Sequence, residues 1–215
     1  FQPREGSYNR VCVVMSSDGK FGESSSYSAA IGQVLGRAAK IAVNQNIGRV
    51  RSGAIAAKGY LTDGKTPEEH YSKWGILDDA GYIFYRTFIG KNGYYLNGDA
   101  TATAISDDYC FLANGRVIDK AVVIAYETYI DDILDNIEVD ADSGAISTPL
   151  CKSFEASIVR AVTTQMAGEI SSFTAYINPS QNILSSGQMD VECDIVPTGV
   201  LRNIKVNLSL KNPTA

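Results

Sequence analysis

The sequence predicts an α+β fold, a mixed or antiparallel sheet packed against about four helices and closed by a C-terminal β-hairpin. Three observations predict it. Two segments, 107–135 and 148–167, carry apolar residues at helical spacing; residues 81–99 are β-rich and punctuated by Asn-Gly turns; and beyond residue 171 apolar and polar residues alternate with period two. The 215 residues are 45% hydrophobic and 20% charged, a composition able to bury a real core. They read as a single α+β unit over 1–215, with 188–215 as its hairpin and tail.

The elements follow in order. Residues 10–15 (RVCVVM) form a short apolar strand before a polar turn. From Ser26 to about Val43, Ala30, Val34, Ala38 and Ile41 mark a helix. Gly32 and Gly36 within it, each costing about 1 kcal/mol against alanine, predict a close-packed neighbour. Residues 49–61 are extended and loop-like. In GKNGYYLNGD (90–99), two Asn-Gly turns flank a Tyr-Tyr-Leu strand. Asp107 and Asp108 can cap the longest helix, on which Ile118, Val122, Ala125, Tyr129 and Ile133 share one face. EVDADSGAIS (138–147) is a loop or short hairpin. Thr148-Pro149 opens the next helix. Finally, Ile204, Val206, Leu208 and Leu210 alternate with Lys205, Asn207, Ser209 and Lys211, which predicts a half-buried antiparallel strand paired across a Thr198-Gly199 turn.

Composition narrows the function. A net charge of −5 and a pI near 4.9 argue against an electrostatic grip on nucleic acid or an anionic membrane. No apolar run reaches the length of a membrane-spanning helix. Cys12, Cys110, Cys151 and Cys193 lack the close spacing of a zinc or redox motif and read as buried, reduced thiols; disulfides are the alternative. The one histidine, His70, cannot anchor a His-rich metal site or a convincing catalytic triad. No cofactor or metal is expected.

One motif competes with that reading. Gly59, Gly64, Lys65 and Thr66 match the phosphate-cradling consensus G-x-x-x-x-G-K-T. A working loop needs a buried strand before it and a helix beginning at Lys-Thr, but Pro67 pushes Thr66 away from helical geometry. Thr66 as N-cap, Pro67 at the first helical position and Glu69 three residues beyond the cap form a capping box instead. DADSG (140–144) resembles the start of a calcium loop, but its glycine comes one place early and Cys151 stands at position twelve, so a turn is expected. Asp131, Asp132 and Asp135 sit unfavourably at a helix C-terminus, as a solvated end or as a charged contact with another subunit.

The order of segments resembles the C-terminal portion of sheath subunits from contractile phage tails and related contractile injection systems. The resemblance spans most of the chain. It is carried by IGQVLGRAAKIAVNQNIGRV (31–50), GYIFYRTFIGKNGYYLNGDATA (81–102), the Arg116-bearing helix DDYCFLANGRVIDKAVVIAYETY (107–129) and VECDIVPTGVLRNIKVNLSLKNP (191–213). It implies a non-enzymatic subunit that polymerises helically around an inner tail tube and contracts to drive that tube through a target envelope. It also implies terminal arms that add strands to a neighbour's C-terminal sheet. The subunit would assemble in the bacterial cytoplasm and then reside in a virion tail or contractile particle, with no nucleic-acid partner and no direct membrane insertion. The chain opens on Phe1 and lacks a preceding half, so it is expected to be part of a longer subunit. Ile204, Val206, Leu208 and Leu210 in the hairpin, with Asp131, Asp132 and Asp135, are the expected interface residues. A P-loop NTPase and a soluble ligand-binding α+β module are the rival functions.

Overall fold

Short extended pieces dominate the first half of the chain and long helices the second. The structure is a computed structural model and describes residues 2–20 and 27–210. In chain order the elements are β1 (Ser7–Tyr8), β2 (Val13–Val14), β3 (Ser16–Lys20), β4 (Tyr27–Ala29), α1 (Ile31–Lys40), β5 (Tyr60–Leu61), α2 (Trp74–Asp79), β6 (Tyr82–Ile83), β7 (Tyr85–Arg86), β8 (Tyr95–Leu96) and β9 (Ala102–Thr103). Then come α3 (Leu112–Tyr129), α4 (Thr148–Gln165), β10 (Ile170–Tyr176), α5 (Ile183–Ser186) and β11 (Glu192–Pro197). The strands form small sheets: β1 with β9, β4-β3-β5, β7 with β8 and β10 with β11, all antiparallel, and β2 with β6 in parallel. The fold is the mixed α+β class the sequence predicts.

Each half has its own core. Ala30, Val34, Ile47, Ile83, Tyr85 and Leu96 bury together in the first half. In the second, Val117 and Ile124 of α3 meet Ile158 and Val162 of α4 and Met166 just beyond it, over Phe173 of β10, so two helices form a layer beneath the β10–β11 ribbon. Burying one such side chain contributes roughly 1.5–3 kcal/mol.

Polar contacts stitch the halves together. Arg116, from α3, donates to three carbonyl oxygens at the C-terminus of α1: Ala38 (2.6 Å), Ile41 (2.9 Å) and Ala42 (3.3 Å). The last carbonyls of a helix have no partner within it and carry its negative dipole end, so a guanidinium is suited to them. Asn44 donates to the Gly168 carbonyl (3.2 Å) and the Thr198 hydroxyl (2.9 Å). Arg10 pairs with Asp119 at 2.6 Å and also donates to the Gly115 carbonyl.

Several expectations are corrected. The helix expected over 26–43 is confined to 31–40, because Tyr27–Ala29 pairs with β3, a contact that local periodicity does not encode; Ser26 lies outside the described residues. Gly32 and Gly36 face open space rather than a close neighbour. On α3 the core face is Ala113, Val117 and Ile124, while Val122 and Ile133 are exposed. This helix has apolar residues on opposite sides, so the pattern of residue types alone cannot choose its buried face. Asp107 does not cap it; its carboxylate accepts the Tyr109 amide (2.7 Å) within the preceding turn. Cys193 is exposed, whereas Cys110 and Cys151 are buried; all four cysteines are free. The C-terminal strand pair is β10–β11, with Phe173 opposite Ile195. The half-buried strand expected over 201–210 is absent: that segment makes no strand and is exposed throughout. Lys211 lies outside the described residues.

The Gly59–Thr66 stretch is built as a helix cap. Glu69 accepts from the Thr66 amide (2.8 Å) and hydroxyl (3.0 Å), and Asp63 accepts from the Lys65 amide (3.1 Å). The Lys65 and Thr66 amides that a phosphate would need are thus bonded to carboxylates, and the helix they open is a 3-10 turn, Pro67–Lys73. His70 pairs with Asp63 at 2.7 Å. Likewise the Asp140 carboxylate is occupied by its own turn, through Asp142 and Ser143.

Two measurements check this account. Arg116→Ala should lower stability by about 2–3 kcal/mol in urea unfolding, because it strands helix-terminal carbonyls at a partly buried junction, with partial rescue by Arg116→Lys. Thr66→Ala should cost about 1 kcal/mol, and Lys65→Ala less than about 0.5. The bonds from the Thr66 amide and hydroxyl hold the Glu69 carboxyl below its usual range. The cap is therefore intact above the ordinary glutamate pKa and is lost as pH falls through the lowered folded value, so the Thr66→Ala deficit should shrink in acid.

Candidate functional site

The exposed C-terminal arm and the ribbon it leaves are the candidate site. The arm begins where β11 ends. Thr198 is held by Asn44 and donates to the Glu169 carbonyl (3.4 Å). Four residues on, the Arg202 guanidinium reaches the carboxylate of Asp99 (3.1 Å) and lies 3.2 Å from the centroid of the Phe111 ring, in the cation–π arrangement.

Asp99 is 1% exposed. One carboxylate oxygen accepts from Asn46 (2.6 Å) and Arg202, the other from the Ala113 amide (3.1 Å), and its carbonyl accepts the Leu112 amide (2.8 Å). It therefore does the capping expected of Asp107 and Asp108, from farther back in the sequence. The positive end of α3 and the cation of Arg202 together offset the cost of burying this charge.

Past Arg202 the described arm is exposed throughout. Ile204 is 75% exposed, Val206 69%, Leu208 92% and Leu210 103%, on a backbone without secondary structure. The four expected interface residues are therefore brought together on one solvent-facing segment. Asp131, Asp132 and Asp135 are also exposed, but lie just beyond the C-terminus of α3, far along that helix from the arm's root. The structure does not bring the two groups into contact.

Beneath the arm's origin, the ribbon has two strands among the described residues, so each has an outer edge of backbone N–H and C=O groups that no described strand pairs. Its inner face carries Phe173, Ala175 and Ile195 onto the helices; its outer face carries Thr174, Tyr176, Glu192 and Asp194. Sequence reasoning missed Asp99, Asn46 and Arg202. Their signal, an acid in a loop before a long helix and an arginine in an alternating tail, becomes readable only when the chain brings them together.

Other candidate sites have little chemistry. A depression of about 450 Å³ is lined by Ala54, Ile55, Ala56, Ala57, Asn92 and Gly93, and another of about 400 Å³ has Arg160 as its one ionisable group. Burial pushes the Cys12 thiol up to about 11 and raises the other three, opposite to what a reactive thiolate needs. Among the described residues no helix is long and apolar enough to cross a membrane.

Comparison with known proteins places this geometry. The model of the DUF2586 N-terminal domain matches residues 3–100, and that of the DUF2586 C-terminal domain residues 108–215. No curated protein sequence matches the chain. The PVC sheath complex of an extracellular contractile injection system, in the contracted state, is similar with a TM-score of 0.59 and 13% identity, over 91% of this chain and 54% of that one. The baseplate of the anti-feeding prophage is similar with a TM-score of 0.56 and 13% identity, over 84% of this chain and 48% of that one. The contracted helical sheath of the same prophage gives 0.51 and 13%, over 64% and 39%. The chain thus spans about half the length of these structures or less, and shares their fold.

Arg202→Ala should free the arm's root at a cost of about 1–2 kcal/mol, since Asp99 keeps Asn46 and the helix amide. Asp99→Ala should cost more, roughly 3 kcal/mol or above, by leaving the helix end and Arg202 without their anion. Equal losses in denaturant titrations would contradict this hierarchy.

Proposed function

The chain belongs to the DUF2586 family, and from that premise we propose that it is a structural subunit of a contractile sheath. It polymerises helically around an inner tail tube and shortens to drive that tube through a target envelope. Assembly takes place in the bacterial cytoplasm, and the product is the tail or contractile particle. One observation carries the reading: an exposed arm of alternating apolar residues leaves a ribbon neither of whose outer edges pairs with another described strand, in a fold shared with contracted sheaths. The ribbon is supported by helices on one face but its backbone edges are open, and an alternating segment with four large apolar side chains in water has no stabilising role in its own chain. Strand addition between copies satisfies both, with main-chain hydrogen bonds giving affinity and alternate side chains giving specificity. Residues 188–215 are then the linking element.

Asp131, Asp132 and Asp135 are proposed as a second contact between subunits, because their place beyond the C-terminus of α3 is unfavourable for the lone chain. The rival nucleotide-hydrolysis reading is weakened by the cap geometry at Lys65 and Thr66, where carboxylates hold the required amides.

Electron microscopy of purified protein tests the class: tubes or stacked rings are expected, and a chain that stays monomeric at every concentration and salt would overturn it. Asn207→Pro should reduce assembly at least tenfold while leaving the helical circular-dichroism signal intact, because it removes an N–H from a segment that is unpaired in the free subunit. Asp131→Asn, Asp132→Asn and Asp135→Asn together should impair assembly without unfolding the subunit. Unchanged assembly across salt concentrations would leave these three as a solvated helix end.

A further inference from the structure

Charge is divided unevenly along the chain. Residues 1–100 hold twelve of the 19 lysines and arginines and nine of the 24 carboxylates, a net of +3, and residues 101–215 carry a net of −8. A cationic half attracts the acidic half of a second copy.

Within the cationic half Arg86, on β7, stands apart. Arg4, Arg10 and Arg37 each donate to a carbonyl or carboxylate oxygen. Arg86 is half-buried, makes no hydrogen bond or ion pair among the described residues, and has its Nε fully buried without an acceptor. Its guanidinium carbon lies 4.6 Å from the centroid of the Phe88 ring and 5.3 Å from that of Trp74. Both rings are held in place. The Trp74 indole donates to the Pro67 carbonyl (2.8 Å) and meets Tyr71 edge-on at 4.9 Å, and Phe88 meets Tyr95 edge-on at 5.4 Å. Carboxylates on the neighbouring turn and α2 are engaged elsewhere: Glu68 with Tyr94, Glu69 with Thr66 and Asp78 with Asn97, while exposed Asp79 forms no ion pair.

Ring contacts satisfy the flat faces of a guanidinium and strip water from them, but they leave its in-plane N–H groups without acceptors. Such an edge is suited to a carboxylate held by two parallel hydrogen bonds. The rim is apolar, with Tyr71 72% and Ile89 107% exposed. Tryptophan, tyrosine and arginine grouped at a surface are the residues on which protein contacts concentrate.

The complement lies just beyond α3. Asp131 and Asp132 are exposed and have no side-chain partner among the described residues, and Asp135 accepts only the Asn136 amide (2.8 Å). Between them Ile133 and Leu134 are 58% and 99% exposed. Leu134 has φ 69°, in the left-handed region, the one non-glycine residue so placed among those described. Neither that conformation nor that exposure stabilises its own chain.

We propose that Arg86, clamped by Trp74 and Phe88, is the receptor for the Asp131–Asp132 pair of a second copy, whose Leu134 seats on Tyr71 and Ile89. The contact rests on the reading of the chain as a self-assembling subunit and supplies the receptor which that reading leaves open for these acids. It joins two different surfaces, so it repeats head to tail, and it does not involve the C-terminal arm.

The clamp holds the chain's single tryptophan, so its emission reports whether the site is covered. In a dilution series of the wild type followed by sedimentation velocity, Trp74 emission should move to shorter wavelength with the same midpoint as association. Arg86→Gln should weaken association about tenfold, as should Asp131→Asn with Asp132→Asn. All three changes together should cost no more than either set alone, because both sets remove the same pair. Charge exchange adds a gain of function. A chain with Arg86→Glu and a chain with Asp131→Lys and Asp132→Lys should each associate poorly, and an equal mixture should recover to within about twofold of the wild type, since each tip then meets an unlike clamp. Additive losses, a mixture that does not recover, or emission that stays constant while the wild type associates each overturn the proposal. The lysine changes lie on an exposed turn and keep the test in force should an Arg86 variant fail to fold: emission from that chain should no longer shift with concentration, and a wild-type shift overturns the proposal. Sodium phosphate added to the dilute wild type should leave emission unchanged; a shift that Arg86→Gln abolishes would make the occupant a free anion instead. A wild type that never associates overturns the assembly reading itself, whereas association with silent variants overturns only this contact.

Discussion

The buried carboxylate of Asp99 is the point on which the two halves and the arm depend together. Its one charge is shared by Asn46 from the first half, the first turn of α3 from the second, and Arg202 from the arm. Burying such a group is costly unless every oxygen is bonded, and here three donors from three parts of the sequence meet the two oxygens. Arg116 makes the reverse arrangement one turn along the same helix, a cation on the carbonyl end of α1. One helix thus receives an acid from the first half at its start and returns a base to it. The apolar contact between the halves includes Leu112 on the first core and Val43 on the second, and this polar seam joins them beside it.

Much of the fold was legible where the signal was local. The capping box at Thr66 and Glu69 was readable because cap and partner are three residues apart, and so was its consequence for the phosphate-loop match. The helix from Thr148 announced itself by Thr-Pro, and the Tyr-Tyr-Leu strand by its flanking Asn-Gly turns. The seam was not legible, because Asp99, Asn46 and Arg202 are separated by 53 and 103 positions and nothing in their neighbours marks them.

The most instructive difference lies at residues 201–210. Period-two alternation predicted a half-buried strand here, but the segment makes no strand and is exposed throughout. Alternation reports that a surface exists to be covered without saying which molecule supplies it. The same limit appears on α3, where Val122, Val123 and Tyr126 are exposed on the side opposite Val117 and Ile124.

The arm differs from an unstructured tail in how it is rooted. Thr198 is fixed by Asn44 and the Glu169 carbonyl, Arg202 by Asp99 and the face of Phe111, and Gly199 between them has no atom within contact of where a side chain would stand. Two fixed points four residues apart determine a direction as well as a position. The direction in which Ile204, Val206, Leu208 and Leu210 leave the molecule is thus set by the same buried groups that join its halves. A change at Asp99 or Asn46, remote from any exposed surface, alters the angle at which the arm is presented. Under the proposed assembly by repetition of one contact, a small change in that angle would accumulate from copy to copy, and the buried seam would thereby govern the geometry of the whole.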